Sequence, residues 1–125
     1  MRYLPSMIPV ALLSLLAASQ ISAQKATEQF IPIGESPGLS VSQTDIGRIQ
    51  SFDAASRTLS VEAGGSIRPV RITEVTRIWV DRSASKLSNL DGDISDLAVG
   101  RRVEVSYVDP GSRQAANWVK VEAAN

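Results

Sequence analysis

Few residues of this chain could carry out chemistry, and the gaps among them are informative. The sequence holds no histidine and no cysteine, so it lacks the commonest general base and the strongest nucleophile. Serines are frequent, but a serine needs an adjacent base. The three lysines, Lys25, Lys86 and Lys120, do not supply one, because Ser85-Lys86 and Lys86-Leu87-Ser88 match no Ser–Lys catalytic spacing. Asp91, Asp93 and Asp96 form the one acidic cluster. Three acids on a surface loop read more readily as turn formers than as an acid–base pair. The expectation is a non-enzyme.

The metal-binding options are equally narrow. Both methionines, Met1 and Met7, fall in the first few residues, so a soft-metal site has neither imidazole nor sulfur to build on. Asn89-x-Asp91-x-Asp93 imitates the alternating oxygens of a calcium loop. Position six is Ile94 where glycine is required, however, and position twelve is Gly100 where a bidentate glutamate belongs. The sequence implies neither a metal nor a cofactor.

What remains is a surface. Arginine outnumbers lysine ten to three. Strand alternation directs Arg71, Arg77 and Trp79 outward, and by the same parity Trp118 and Lys120 leave the core near the C-terminus. Flat aromatics beside guanidinium groups stack on sugars, bases or peptide side chains. Trp79, Arg71, Arg77 and Trp118 are therefore the candidate binding residues. The competing reading has each tryptophan covering the end of the fold or packing under the preceding segment. Arginines opposite Glu62, Glu74, Glu104 and Glu122 would then be cross-strand ion pairs.

The elements that would position these residues are strands. Residues 44–52 and 58–63 alternate, and Gly64-Gly65 is the tightest hairpin signal in the chain. Residues 67–73 follow, with Val70 and Ile72 inward. Pro69 cannot donate to a ladder, which marks that strand as an edge or a bulge. Residues 77–81 make a fourth strand, and residues 101–108 and 115–123 form a closing hairpin around Asp109-Pro110-Gly111. Between them, Leu87, Leu90, Ile94 and Leu97 recur at three or four, the spacing of a short helical insertion. The chain is too short for two full sheets. The expected architecture is thus all-β, a small OB-like β-barrel of five or six strands with a short helical insertion between strands 4 and 5.

The N-terminal segment reads differently. A short positive start, Met1-Arg2-Tyr3, precedes an apolar run over residues 7–19, and Ala23 offers a small residue at a cut site. This order is that of a secretory signal peptide over residues 1–23. The run is too short for a membrane anchor, which needs roughly twenty residues, so no membrane span is expected after cleavage. Residues 24–43, with two prolines, two glycines and no period, read as a flexible leader whose Phe30–Ile33 stretch is an apolar plug. The domain proper is expected over residues 44–123.

The full chain carries 13 Lys+Arg against 13 Asp+Glu, and losing Arg2 leaves 12 against 13, a net charge of −1. Export and that balance both oppose a nucleic-acid partner. Without cysteine no disulfide staples the fold, although an exported protein could carry one.

In order along the chain, Gly47-Arg48-Ile49, Thr58-Leu59-Ser60-Val61, Ile72-Thr73-Glu74-Val75-Thr76-Arg77-Ile78, Asp96-Leu97-Ala98-Val99-Gly100-Arg101-Arg102-Val103-Glu104-Val105 and Ala116-Asn117-Trp118-Val119-Lys120-Val121 make a pattern. It resembles that of an uncharacterised family of short bacterial exported OB-like β-barrel domains. The resemblance covers most of the chain beyond the leader. It implies a periplasmic or secreted barrel and no reaction. The same residues also read as architecture: Asp96 as a helical cap, Gly100 as a left-handed reversal, and Gly47 as a bulge. The functional expectation is a non-enzymatic binding or accessory module of the cell envelope, with an envelope protein, a peptide or a glycan as partner. The alternative is a structural or assembly accessory with no small-molecule site.

Overall fold

A computed structural model describes residues 27–124. The expected signal peptide, residues 1–23, lies outside the described residues, as do residues 24–26 of the expected leader. Seven strands form one mixed sheet: β1 (Thr44–Asp53), β2 (Thr58–Ala63), β3 (Ser66–Arg71), β4 (Arg77–Asp81), β5 (Leu90–Asp91), β6 (Arg102–Tyr107) and β7 (Ala116–Glu122). Their order is β3-β2-β1-β6-β7-β4-β5. Neighbours run antiparallel except β4 and β7, which are parallel, with Ile78 beside Val119. No helix among the described residues is long and apolar enough to cross a membrane.

Alternation dictates the interior. Leu59, Val61, Val70, Val103, Val105, Val119 and Val121 are all fully buried and, with Ile49, Ile72, Ile78 and Leu97, make one continuous apolar cluster. β-Branched valines dominate it, and they pack well on a pleated surface.

The sheet curls strongly but does not close, which corrects the barrel expectation. β3 and β5 are its two end strands and do not pair with each other. The sheet rolls only until Arg71, ending β3, bridges Ala115 just ahead of β7, with Arg71 N donating to Gln114 O at 2.9 Å. Two features make the roll. β1 spans ten residues and switches partner along its length, so that Arg48 pairs with both Arg102 and Glu62. A bulge then falls between Ile49 and Ser51. Gly47 sits one residue before the switch. A Cβ there would lie 1.9 Å from the Glu62 carbonyl oxygen, so this glycine permits a close backbone approach and is not itself the bulge.

The open end of the roll is plugged by charge. Asp45 shares the inward parity of Ile49, and Arg68 that of Val70. Asp45 forms an ion pair with Arg68, Nε lying 2.7 Å from Oδ2, and accepts from an Arg113 guanidinium nitrogen at 2.8 Å. Tyr107 Oη donates to the same carboxylate at 2.6 Å. Three segments distant in sequence thus meet on one carboxylate.

The expected helical insertion is absent. Residues 83–99 contain two three-residue 3-10 turns, Ser83–Ser85 and Ile94–Asp96, with β5 between them. The three-to-four spacing of its apolar residues does not produce a shared face, because Leu97 is buried while Leu87, Leu90 and Ile94 are exposed. Lys86, at φ 57°, reverses the chain. Gly92 then lies close against Val80 and Ile78, with Gly92 N donating to Ile78 O at 2.8 Å. Asp93 rather than Asp96 is the cap, and the Asp96 carboxylate accepts back from Asp93 N at 2.9 Å. Gly100 adopts the left-handed conformation expected of it, φ 88°.

β3 is an edge strand, which accommodates Pro69. Arg71 N points away from β2, toward Gln114, so by alternation the nitrogens of Pro69 and Ile67 point the same way. The N–H that proline lacks would have faced the free edge.

Candidate functional site

Two regions gather the polar and aromatic residues. The larger is the outward face of β4, β6 and β7, across which residues 27–43 are laid. On β4 the outward residues are Arg77, Trp79 and Asp81. On β7 they are Trp118 and Lys120, and Glu104 projects from β6 opposite Lys120. The two indoles stack with centroids 5.7 Å apart and planes tilted by 34°. The Lys120 ammonium sits 4.5 Å over the Trp118 ring.

Residues 27–43 are tied to this face by hydrogen bonds to Lys120, Glu104 and Asp81. Lys120 Nζ donates to Glu28 Oε1 at 2.7 Å and to Ser36 Oγ at 3.2 Å, while Ser36 Oγ donates to the same Glu28 oxygen. Glu104 accepts from Gly34 N at 2.9 Å, from Ser40 Oγ at 2.7 Å and from Thr44 Oγ1 at 2.8 Å. Asp81 accepts from Ile33 N and from Ser83 N, each at 2.8 Å. Burial penalises the charged form of Asp81, but these hydrogen bonds outweigh it and hold the carboxyl below its ordinary value. Among the described residues no buried side-chain nitrogen or oxygen lacks a partner, as a polar interface must arrange if it is not to be costly.

Trp79 and Trp118 therefore lie together on the outward face, as the alternation indicated, but 4% and 5% exposed. Lys120 and Glu104 are fully buried. The exposed aromatic patch anticipated for a binding platform is not present. Of the anticipated plug, Ile33 is buried and Phe30 is exposed.

Sequence reasoning passed over Glu28, Ser36, Asp81 and Glu104 as functional residues. Their signal was faint: a charged residue in strand parity reads as solvent-facing unless something is known to cover it.

The second region is an open groove of about 460 Å³ at the free end of β4, lined by Glu74, Val75, Thr76, Arg77, Ile78, Trp79, Asp91 and Gly92. It lies where β5 leaves β4, because β5 pairs only with Trp79 and Val80. Arg77 and Glu74 are exposed, and neither forms an ion pair among the described residues. Arg77 and the edge of Trp79 thus share one opening. Arg71, the remaining candidate, stands apart at the Ala115 bridge.

The residues of the calcium-like pattern are occupied internally. Asn89 is buried; its Oδ1 accepts from Arg82 N at 3.1 Å and its Nδ2 donates to Gln29 O at 2.9 Å. Asp91 accepts from Gln29 Nε2 at 3.3 Å. Asp93 caps the turn through Ser95 N, and the two Ser95 hydrogen bonds lower its pKa.

Comparison of the chain with family models, with curated proteins and with solved structures finds no match.

Proposed function

We propose that this protein is an exported, non-enzymatic accessory module of the bacterial cell envelope, acting through contact with another envelope protein or peptide. Its strongly curled sheet would be an open variant of an OB-like barrel. The observation that carries the reading is the covering of Trp79, Trp118 and Lys120 by residues 27–43. The side chains best suited to stack on a sugar are engaged within the chain, which favours the accessory role over a glycan-binding platform. The absence of histidine and cysteine supports a module without chemistry of its own.

Crosslinking in intact cells tests it, followed by identification of what is captured. A reproducible envelope protein is expected, together with tryptophan emission that does not move when cell-wall oligosaccharides are added. An emission shift at sub-millimolar oligosaccharide with no protein captured would overturn the accessory reading. The groove beside Arg77 supports a second reading, a binding module for a small anionic or peptide ligand. Loss of such binding on Arg77→Ala, with stability unchanged, is the outcome that would favour it.

A further inference from the structure

Residues 27–43 join β1 through a turn that is under strain. Val41 has φ 72°, in the left-handed region that a β-branched side chain rarely enters. Burial does not compensate it, because Val41 is 73% exposed. The turn is held by Val41 N donating to Thr44 Oγ1 at 3.0 Å and by Gln43 N donating to Leu39 O at 2.9 Å. Beyond this turn, the segment's hydrogen bonds to β4, β6 and β7 reach across 48 to 92 residues of sequence. None of them requires that the segment belong to the same molecule as the sheet.

The face beneath cannot readily stay bare. Uncovering it would strip Lys120 of Glu28 and Ser36, and Glu104 of Gly34 and Ser40. Both charges are fully buried, with the Lys120 ammonium over the Trp118 ring, so an uncovered face has a strong demand for this pattern of partners. The segment that meets it with certainty is the same segment of another copy.

We propose that residues 27–43 exchange between two copies of the chain, each covering the β4–β6–β7 face of the other. The contacts of residues 27–37 are the same in the exchanged dimer and in the monomer, and only those of the hinge, such as Ser40 with Glu104, are given up on extension, so the balance is set by the turn and by the entropy of association. Extending residues 38–43 relieves Val41 and spans roughly 20 Å, enough to reach a neighbouring molecule. Short strained connections favour this kind of exchange. The inference concerns self-association and does not depend on the proposed envelope role.

A charge reversal across the clasp tests it directly. Glu28→Lys alone sets two ammonium groups against each other, and Lys120→Glu alone sets two carboxylates. In an exchanged dimer of the two variants both clasps are complementary again. Mixing the purified exported chains should give a discrete heterodimer by light scattering, with a cooperative unfolding transition that neither variant has alone. The chain carrying both reversals is the control for compatibility with the fold. If it folds and the mixture yields no heterodimer, the proposal is overturned.

The hinge gives an independent arm, decisive if the doubly reversed chain does not fold. Val41→Gly removes the strain of the closed turn and should lower the dimer fraction of the otherwise native chain by roughly tenfold. Val41→Pro forbids the positive φ and removes the N–H, and should raise it by roughly tenfold. Equal dimer fractions for the two variants, or disordered aggregate in place of a dimer, would overturn the exchange.

Discussion

Lys120 and Glu28 are joined by a 2.7 Å ion pair across 92 residues of sequence, with the lysine side chain fully inaccessible and the glutamate side chain 11% exposed. The asymmetry in exposure sets which partner is more costly to lose. Glu28→Gln strands a fully desolvated ammonium and should destabilise by about 3–5 kcal/mol, whereas Lys120→Met leaves a carboxylate near solvent and should cost less. Urea denaturation of both variants, with the double variant closing the cycle, checks the order. Equal costs would mean that the pair is wetter than its geometry indicates.

Gly47 gives a prediction about backbone geometry. Its φ is not positive, so an added methyl meets no torsional objection. It meets Glu62 instead, at 1.9 Å from the carbonyl oxygen and 2.7 Å from the carbonyl carbon. Since β1 and β2 are locked in register there, Gly47→Ala should cost at least about 3 kcal/mol. Gly38→Ala, with nothing within 4 Å but a φ of 73°, should cost about 1 kcal/mol. Thermal unfolding of the two variants separates close approach from conformational freedom.

Tyr107 predicts an alkaline limit. Burial, and then the hydrogen bond to Asp45, push its hydroxyl well above the ordinary tyrosine value. Its contribution to stability is fully present below about pH 10, the unfolded value, and declines as pH rises from there toward the folded one. Phenolate absorbance should therefore appear only with unfolding, and Tyr107→Phe should flatten the alkaline slope. Tyr3 and Tyr107 are the two tyrosines of the sequence, so a Tyr3→Phe background leaves the titration a single source.

Asp81 sets a limit at the acid end. Its folded pKa lies below the unfolded value because hydrogen bonds from Ile33 and Ser83 outweigh the burial penalty. Stability from this group is present above the ordinary aspartate value and falls away as pH drops through the folded one. Asp81→Asn should weaken the fold at neutral pH and reduce the steepness of the acid transition. Acid should also raise acrylamide quenching of the tryptophans, since the Ile33 bond is one of the ties holding residues 27–43 in place.

Much of the fold was legible because strand parity is a strong signal. Val61, Ile72, Val103 and Val119 meet in one interior, Pro69 lies on an edge, and Gly64-Gly65 turns a two-residue hairpin between Ala63 and Ser66. Parity assigns a face and says nothing of what covers it. Trp79, Trp118, Glu104 and Lys120 do project outward, yet they are buried, on a face to which Glu28, Ile33 and Ser36 are hydrogen-bonded through Lys120 and Asp81. Those three residues have no period and no propensity to announce their role. The parallel pairing of β4 with β7 was illegible for a related reason: contacts between strands some forty residues apart leave no local mark. In residues 83–99, apolar spacing suggested a helix where glycine, a left-handed lysine and a two-residue strand prevailed.

Pro69 has a further consequence at high concentration. A rim of exposed strand is ordinarily an invitation for identical molecules to stack into fibrils, each laying down a template for the next. Here the rung that a newcomer would grip first is missing a hydrogen, and Arg71 has already turned its own toward Gln114. Growth from that side stalls before it starts, and Pro69→Thr should shorten the lag before thioflavin-positive material forms.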